Sequence, residues 1–303
     1  MRAVYVVGDV MLDVVVEVTG PFSHASDTPS VISTSPGGAA ANQSVALARA
    51  GASVTLVGAV GADPFGDAAD AALRAAGVNV ALLARAERPT GVVVALVEPD
   101  GQRSMLTDRG ANLALDVAMI DALDSLVGPD AHVHLSGYCL LDEATRDAGL
   151  RVLALAREHG ASISVDASSA GPLRALGADR FISWVRGVDY LFCNREEGEV
   201  LTSRADAPGI AERLAAIALE AIVTDGPDGA LVATRDGQVH RAPAEVASVE
   251  DTIGAGDSFT ATYLVRRLDG ADVVAALADA ATSASRTVAR RGARDWASRY
   301  SRE

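Results

Sequence analysis

Continuous Val/Ile/Leu runs alternate with helix-period patterns along most of this chain. Short apolar runs at 3–7, 54–60, 132–136, 162–166, 190–193 and 221–224 predict strands. Amphipathic patterns at 40–50, 65–76, 143–159 and 209–218 predict helices between them, and two more helices close the chain at 255–268 and 271–289. A strand that is apolar at every position is covered on both faces. The alternation therefore predicts a doubly wound α/β domain, a mostly parallel sheet with helices on both faces. Two regions break the rhythm. Residues 14–18 with 31–33, and 91–97 with 103–107, read as antiparallel hairpin strands, the second pair turned by Pro99-Asp100-Gly101. A small sheet inserted in such a domain is either a lid over the strands' C-terminal ends, where these folds bind ligands, or an ordinary surface excursion. The lid segments cover about 13–34 and 90–108 of a single domain spanning 1–303.

Composition narrows the function classes. The net charge of −14 and a pI near 4.8 argue against a nucleic-acid or anionic-membrane surface. All 26 basic residues are arginine. Schiff-base chemistry and the lysine-bearing phosphate loop are excluded, so any phosphate must be held by backbone N–H groups, arginine or metal. The two cysteines, Cys139 and Cys193, lie in or beside apolar runs and read as buried free thiols of a reducing compartment. The first strand begins at once, without a signal segment, and no apolar run approaches a membrane span. The expected location is the cytoplasm.

The most informative stretch is Asp251-Thr252-Ile253-Gly254-Ala255-Gly256-Asp257-Ser258-Phe259. It opens a helical pattern, and a helix N-terminus offers unpaired N–H groups and a favourable dipole to an anion. Asp257 puts a carboxylate in the first turn of that anion site. A loop that only held phosphate would gain nothing from it. A phosphoryl-transfer enzyme would, with Asp257 taking the proton of the attacking hydroxyl and the Gly254, Ala255, Gly256 and Asp257 amides holding the transferring group.

That stretch resembles the C-terminal signature of the ribokinase-like (PfkB) family of carbohydrate and nucleoside kinases. Other segments agree in order. Gly37-Gly38-Ala39-Ala40-Ala41-Asn42 is similar to the family's N-terminal glycine-rich signature, and the segment from Val57 to Gly66 to the one that follows it. Asn194-Arg195-Glu196-Glu197 resembles its NxxE motif, and Val223-Thr224-Asp225-Gly226 with Gly229 its nucleotide-side strand and turn. The resemblance covers roughly residues 3 to 294.

It implies ATP-dependent phosphorylation of a hydroxyl on a sugar or sugar-like molecule, with Mg²⁺, and K⁺ as a further candidate ion. Asp257 would be the base. Asp13 would grip acceptor hydroxyls, with Gly37, Gly38 and Asn42 as the opposite wall. Asn194 and Glu197 would organise Mg²⁺, Glu197 through water, while Thr224, Gly226, Gly229, Gly254 and Gly256 border the nucleotide. Backbone carbonyls near Asp251, Ile253 and 288–293 would take the monovalent cation. The lid implies a homodimer, with the valine-rich run 14–18 as its apolar face. Two departures put ribose in doubt: Ala39 stands where ribokinases carry a lysine, and Met11 where they carry an asparagine. Met11 favours a less polar acceptor. A phosphorylated acceptor would need a basic cluster, for which Arg85, Arg88, Arg103 and Arg109 are the candidates. The alternatives are a nucleoside kinase on the same scaffold and a catalytically silent sugar sensor. A dinucleotide-dependent oxidoreductase would need GxGxxG after the first strand, and Gly8-Asp9-Val10 does not begin one.

Overall fold

The first strand, Ala3–Val7, is buried on both sides: Val4 and Val6 pack into one core cluster, Tyr5 and Val7 into another. Its continuous apolar run follows from that double coverage. The computed structural model describes residues 2–97, 103–244 and 254–289. The described strands are β1 (Ala3–Val7), β2 (Met11–Val18), β3 (Ser30–Gly37), β4 (Ser53–Gly61), β5 (Asn79–Ala86), β6 (Gly91–Val97), β7 (Arg103–Asp108), β8 (His132–Ser136), β9 (Ser162–Asp166), β10 (Tyr190–Asn194), β11 (Glu220–Thr224), β12 (Ala230–Thr234) and β13 (Val239–Ala242). The described helices are α1 (Ala39–Arg49), α2 (Pro64–Ala75), α3 (Val117–Asp121), α4 (Tyr138–Leu141), α5 (Arg146–Glu158), α6 (Ala170–Leu176), α7 (Ala178–Val185), α8 (Arg195–Thr202), α9 (Ala207–Ala215), α10 (Ala255–Leu268) and α11 (Val273–Val288).

The large sheet runs β13-β12-β11-β10-β9-β8-β1-β4-β5, parallel from β11 to β5, with β12 and β13 antiparallel at one edge. The chain builds outward from β1 through β4 to β5, then returns to place β8 on the other side of β1. The strand order therefore reverses between β1 and β8, and the crevice at their C-terminal ends is where such sheets bind ligands. Helices α1, α10 and α11 pack on one face, where Leu47, Tyr263, Leu264 and Leu277 are buried; α5, α7 and α9 cover the other through Leu153, Phe181 and Ile210.

The small sheet has the order β3-β2-β6-β7. Both expected hairpins form, β2 with β3 and β6 with β7, and a parallel β2–β6 pairing joins them into one sheet. Asp63 fixes its base. This helix-capping carboxylate accepts from Gly66 N–H at 2.8 Å and from both Thr90 N–H and Thr90 Oγ1–H at 2.7 Å, one residue before β6. The turn at 99–101 and the expected cation-site residues Asp251 and Ile253 lie outside the described residues.

Candidate active site

A cleft of about 870 Å³ opens at the C-terminal ends of the central strands, beneath the small sheet. It stands at the large end of the range for small-molecule sites, enough for two reactants. Asp9, Met11, Asp13, Gly38, Asn42, Arg109, Tyr138 and Asp142 line it, with Val93, Met105 and Thr107 from the small sheet. Asp166, Asn194, Glu197, Thr224, Gly254, Gly256 and Asp257 complete the lining.

Asp13 lies on β2 opposite Ser35, and its residue is buried. Gly37 leaves the room for its carboxyl group: a Cβ there would sit 2.4 Å from Asp13 Cγ. Gly37 itself does not line the cleft, so its part is to admit Asp13 rather than to touch an acceptor. Gly38 has φ 98°, and a Cβ there would meet Asp9 O at 2.5 Å. Asn42 lies within α1, whose N-cap is Gly38 and has no side-chain cap. Its Oδ1 is buried without a hydrogen-bond partner, the state expected of an acceptor facing a bound donor.

Asp9 was not anticipated from sequence, and Arg109 only as a candidate member of a basic cluster. Arg109 Nη2 donates to Asp9 Oδ1 at 2.6 Å, and its Nη1 donates to Tyr138 O at 3.1 Å and lies 3.3 Å from Asp142 Oδ2. Burial pushes the Asp9 carboxyl up from the ordinary range, and the guanidinium offsets part of that. Asn112 locks the two segments together: its Oδ1 accepts from Val10 N–H at 2.8 Å, and its Nδ2 donates to Val10 O and Arg109 O at 2.9 Å. Arg85 instead faces Asp67 and Asp70 at the outer edge, so the arginines do not converge into a basic cluster among the described side chains.

Gly254, also bordering the cleft, caps α10 with φ 79°, a left-handed conformation that favours glycine. The first intrahelical bond is Ser258 N–H to Gly254 O at 2.9 Å, so the preceding amides have no acceptor within the helix. Asp257 sits half-buried in that first turn and borders the cleft. Tyr263 ties α10 to the sheet: its hydroxyl donates to Glu220 Oε2 at 2.6 Å, and Arg267 Nε donates to the same carboxylate at 3.1 Å.

Asn194 caps α8. Its Oδ1 accepts from Glu197 N–H at 2.9 Å, while the Glu197 carboxylate accepts from Asn194 N–H at 2.9 Å and Nδ2–H at 2.8 Å. This capping box fixes the motif for a local reason. Burial first, and then the charge of Asp166, push Glu197 up to about 8. Two neighbouring carboxylates so placed, bordering a cleft beside an asparagine, are a donor set that Mg²⁺ fits, since it keeps waters and takes the rest of its shell from phosphates. Asp166 is a second residue that sequence reasoning missed.

Besides Gly37, three expected residues are not cleft-lining. Ala255 belongs to the first turn of α10 without bordering the cleft. Gly226 and Gly229 form the 3₁₀ turn between β11 and β12, where Asp225 N–H donates to Gly229 O at 2.8 Å. Gly229 has φ 92°, and a Cβ there would lie 2.1 Å from Ala242 O, so packing on β13 accounts for that glycine. Thr224 does border the cleft.

A cleft at a topological switch point, lined by the carboxylates Asp13, Asp166, Glu197 and Asp257 and by a helix N-terminus, has the make-up expected of a phosphotransferase acting on small alcohols. The chain belongs to the pfkB family of carbohydrate kinases, whose model matches residues 1–298, and is an ATP-dependent carbohydrate kinase. It is 30% identical over 298 residues to a ribokinase of Bacillus subtilis, covering 97% of this chain and 95% of the relative. An ATP-dependent ribose-1-phosphate kinase of Halopiger xanaduensis is 33% identical over 264 residues, with 86% and 82% covered. The solved structure of an adenosine kinase from Sinorhizobium meliloti superposes with a TM-score of 0.82 at 24% identity, with 95% and 94% covered, a likeness of fold. No helix among the described residues is long and apolar enough to cross a membrane.

Proposed function

We propose that the enzyme transfers the γ-phosphoryl group of ATP to a hydroxyl of a neutral sugar or sugar-like acceptor, with Asp257 as general base. The observation that carries this reading is Asp257 in the first turn of α10, bordering the same cleft as Gly254, Gly256 and Asp13. The acceptor hydroxyl gives its proton to the Asp257 carboxylate as its oxygen attacks the γ-phosphorus. The bond from that phosphorus to the bridging oxygen breaks, and ADP leaves. Charge growing on the equatorial oxygens is met by the amides from Gly254 to Asp257. Asp166 and Glu197, directly or through water, would hold Mg²⁺, which neutralises phosphate charge when bound. Asp13 and Asn42 orient the acceptor, and the small sheet excludes water from the transferring group.

The acceptor is neutral because Arg109 already faces Asp9 and Asp142, with Asp13 bordering the same cleft, leaving no excess positive charge for a phosphate among the described lining side chains. Met11, Val93, Met105 and Leu141 add apolar wall. That strip supports a deoxy sugar or a nucleoside as the second reading within the same chemistry. Val31, Ile32 and Leu106, exposed on the small sheet, support a homodimer through the lid, to be read by sedimentation.

The test is ADP release from Mg·ATP across pentoses, hexoses, keto-deoxy acids, sugar phosphates and nucleosides, beside Asp257→Asn. Acceptor-dependent turnover that vanishes in the variant is the expected result. Turnover that survives removes Asp257 as the base. Ligands that raise the melting temperature without turnover would point to a silent sensor instead.

A further inference from the structure

A buried file of polar side chains crosses the centre of the large sheet and ends on Asp166. Ser162 Oγ lies 2.9 Å from His132 Nδ1, and His132 Nε2 lies 2.7 Å from Ser164 Oγ. Ser164 Oγ lies 2.6 Å from His134 Nδ1, and His134 Nε2 lies 2.8 Å from Gln43 Oε1. Gln43 Nε2 then donates to Asp166 Oδ2 at 2.8 Å. His132, His134 and Ser164 have no exposed surface, and Gln43 is 1% exposed. Each of these links joins β8 to β9 or reaches them from α1, deep in a sheet otherwise built of Val, Ile and Leu.

The donors in this file all point the same way. A neutral imidazole has one donor and one acceptor nitrogen, a hydroxyl has a single proton, and the two ends of an amide have opposite roles. An aspartate carboxylate only accepts, so the Gln43 NH₂ must face it and the Gln43 carbonyl must face His134. His134 therefore carries its proton on Nε2, its Nδ1 accepts from Ser164, and His132 likewise carries its proton on Nε2. No single link can be reversed without reversing every other. Burial supports the neutral rings, pushing His132 down to about 3 and His134 to about 4.

We infer that Gln43, His134, Ser164 and His132 are positioning residues for Asp166: a one-directional chain of donors that aims its carboxylate into the cleft beside Glu197. The other Asp166 oxygen is fixed by Ser168 N–H, which donates to Oδ1 at 2.8 Å. Held from two sides, the carboxylate keeps its remaining lone pairs for the phosphate end of the cleft. Bonds aligned head to tail polarise one another, so the chain presents a stronger donor to Asp166 than an isolated amide would. The assignment of what Asp166 is aimed at rests on the kinase reading above; the direction of the chain does not.

The test is ¹⁵N NMR of the full-length protein with ring-labelled histidine. The expected result is the Nε2–H tautomer for both buried rings, with His24, His159 and His240 outside the chain as references. An Nδ1–H tautomer or a doubly protonated ring at either His132 or His134 would overturn the direction. The second arm measures Mg·ATP binding by calorimetry, alongside turnover, in Ser164→Ala and Gln43→Leu. Ser164→Ala removes one buried hydroxyl and should fold even if Gln43→Leu does not. Breaking the file should leave the ring tautomers mixed and weaken Mg²⁺-dependent nucleotide binding roughly ten-fold, the scale for losing an outer partner of a metal-facing carboxylate. Acceptor KM should stay within about two-fold, because Asp13 and Asn42 are untouched. Variants that lower the melting temperature but bind Mg·ATP as the wild type does would reduce the chain to packing. Nucleotide binding is read without any acceptor, so a protein that turned over no acceptor would refute the kinase reading and still decide this one.

Discussion

The guanidinium of Arg109 and the carboxylate of Asp9 meet at 2.6 Å, although 100 residues of chain separate them. The pair joins the loop after β1 to the turn after β7, so the strand end and the small sheet are held in one geometry where the acceptor must sit. Both side chains are largely buried, and breaking a buried pair from one side leaves an uncompensated charge. Arg109→Met should destabilise the fold by about 3 kcal/mol in urea unfolding. The double variant with Asp9→Asn should recover much of that loss, because no buried charge remains. Equal destabilisation in single and double variants would show that the pair's charges are not what matters.

Asp257→Asn should lower acceptor-dependent ADP release by roughly 10² to 10⁴-fold, the range for losing a general base. The side chain lies at a half-buried helix end, so the melting temperature should barely move. A large drop in melting temperature alongside the lost activity would leave the base without support.

Gly37→Ala tests the close approach behind Asp13. The added methyl would occupy the position of the carboxyl group, 2.4 Å from Cγ. Acceptor KM should rise roughly ten-fold or more as the gripping carboxylate is displaced, while ATP KM changes little. Initial-rate kinetics with each substrate varied in turn decides the point.

Stability should peak near pH 6.5 in the absence of metal. The buried rings of His132 and His134 are depressed from 6.5 to about 3 and about 4, so below pH 6.5 the unfolded chain binds protons that the native state does not. Their contribution is complete above pH 6.5 and is lost as pH falls toward those values. Glu197 has the opposite sign. It is raised from 4.5 to about 8, so the native state keeps a proton the unfolded chain releases, and its contribution fades as pH rises through about 8. Two histidines outweigh one glutamate below pH 6.5; between there and about pH 8 they no longer oppose it, and the raised carboxyls of Asp9, Asp166 and Asp189 act in the same direction. Melting temperatures of Glu197→Gln should fall less than the wild type's between pH 6.5 and 8, and an equal fall would assign it elsewhere.

The parts legible in sequence were those whose meaning is local. Helix α10 was expected at the bounds observed, because its glycines and first-turn aspartate announce a helix start. Asn194 and Glu197 were visible through the resemblance of Asn194-Arg195-Glu196-Glu197 to a family motif; that the two form a capping box is a finding of the structure. Strand β5 escaped notice because its Ala/Leu composition and exposed alternate positions mimic a helix surface. Helices α6 and α7 carry Gly171, Pro172 and Gly177, which break the period that would have marked them. Asp9, Gln43 and Asp166 could not be read at all, and Arg109 was read only as a candidate for a basic cluster. Their significance depends on partners about a hundred residues away, and each in isolation is an ordinary polar residue.

Asp13 and Asp257, both bordering the cleft, come from opposite ends of the chain, and this has a consequence for synthesis. A protein emerging from the ribosome completes β1 to β7, and with them Asp13, Asn42 and Arg109, before half its length is made. Asp257 arrives only with α10, whose first residue is Ala255 of 303. On the proposed mechanism, a nascent or truncated chain without α10 lacks the group that would take the acceptor's proton, so the late synthesis of α10 acts as a licence for catalysis.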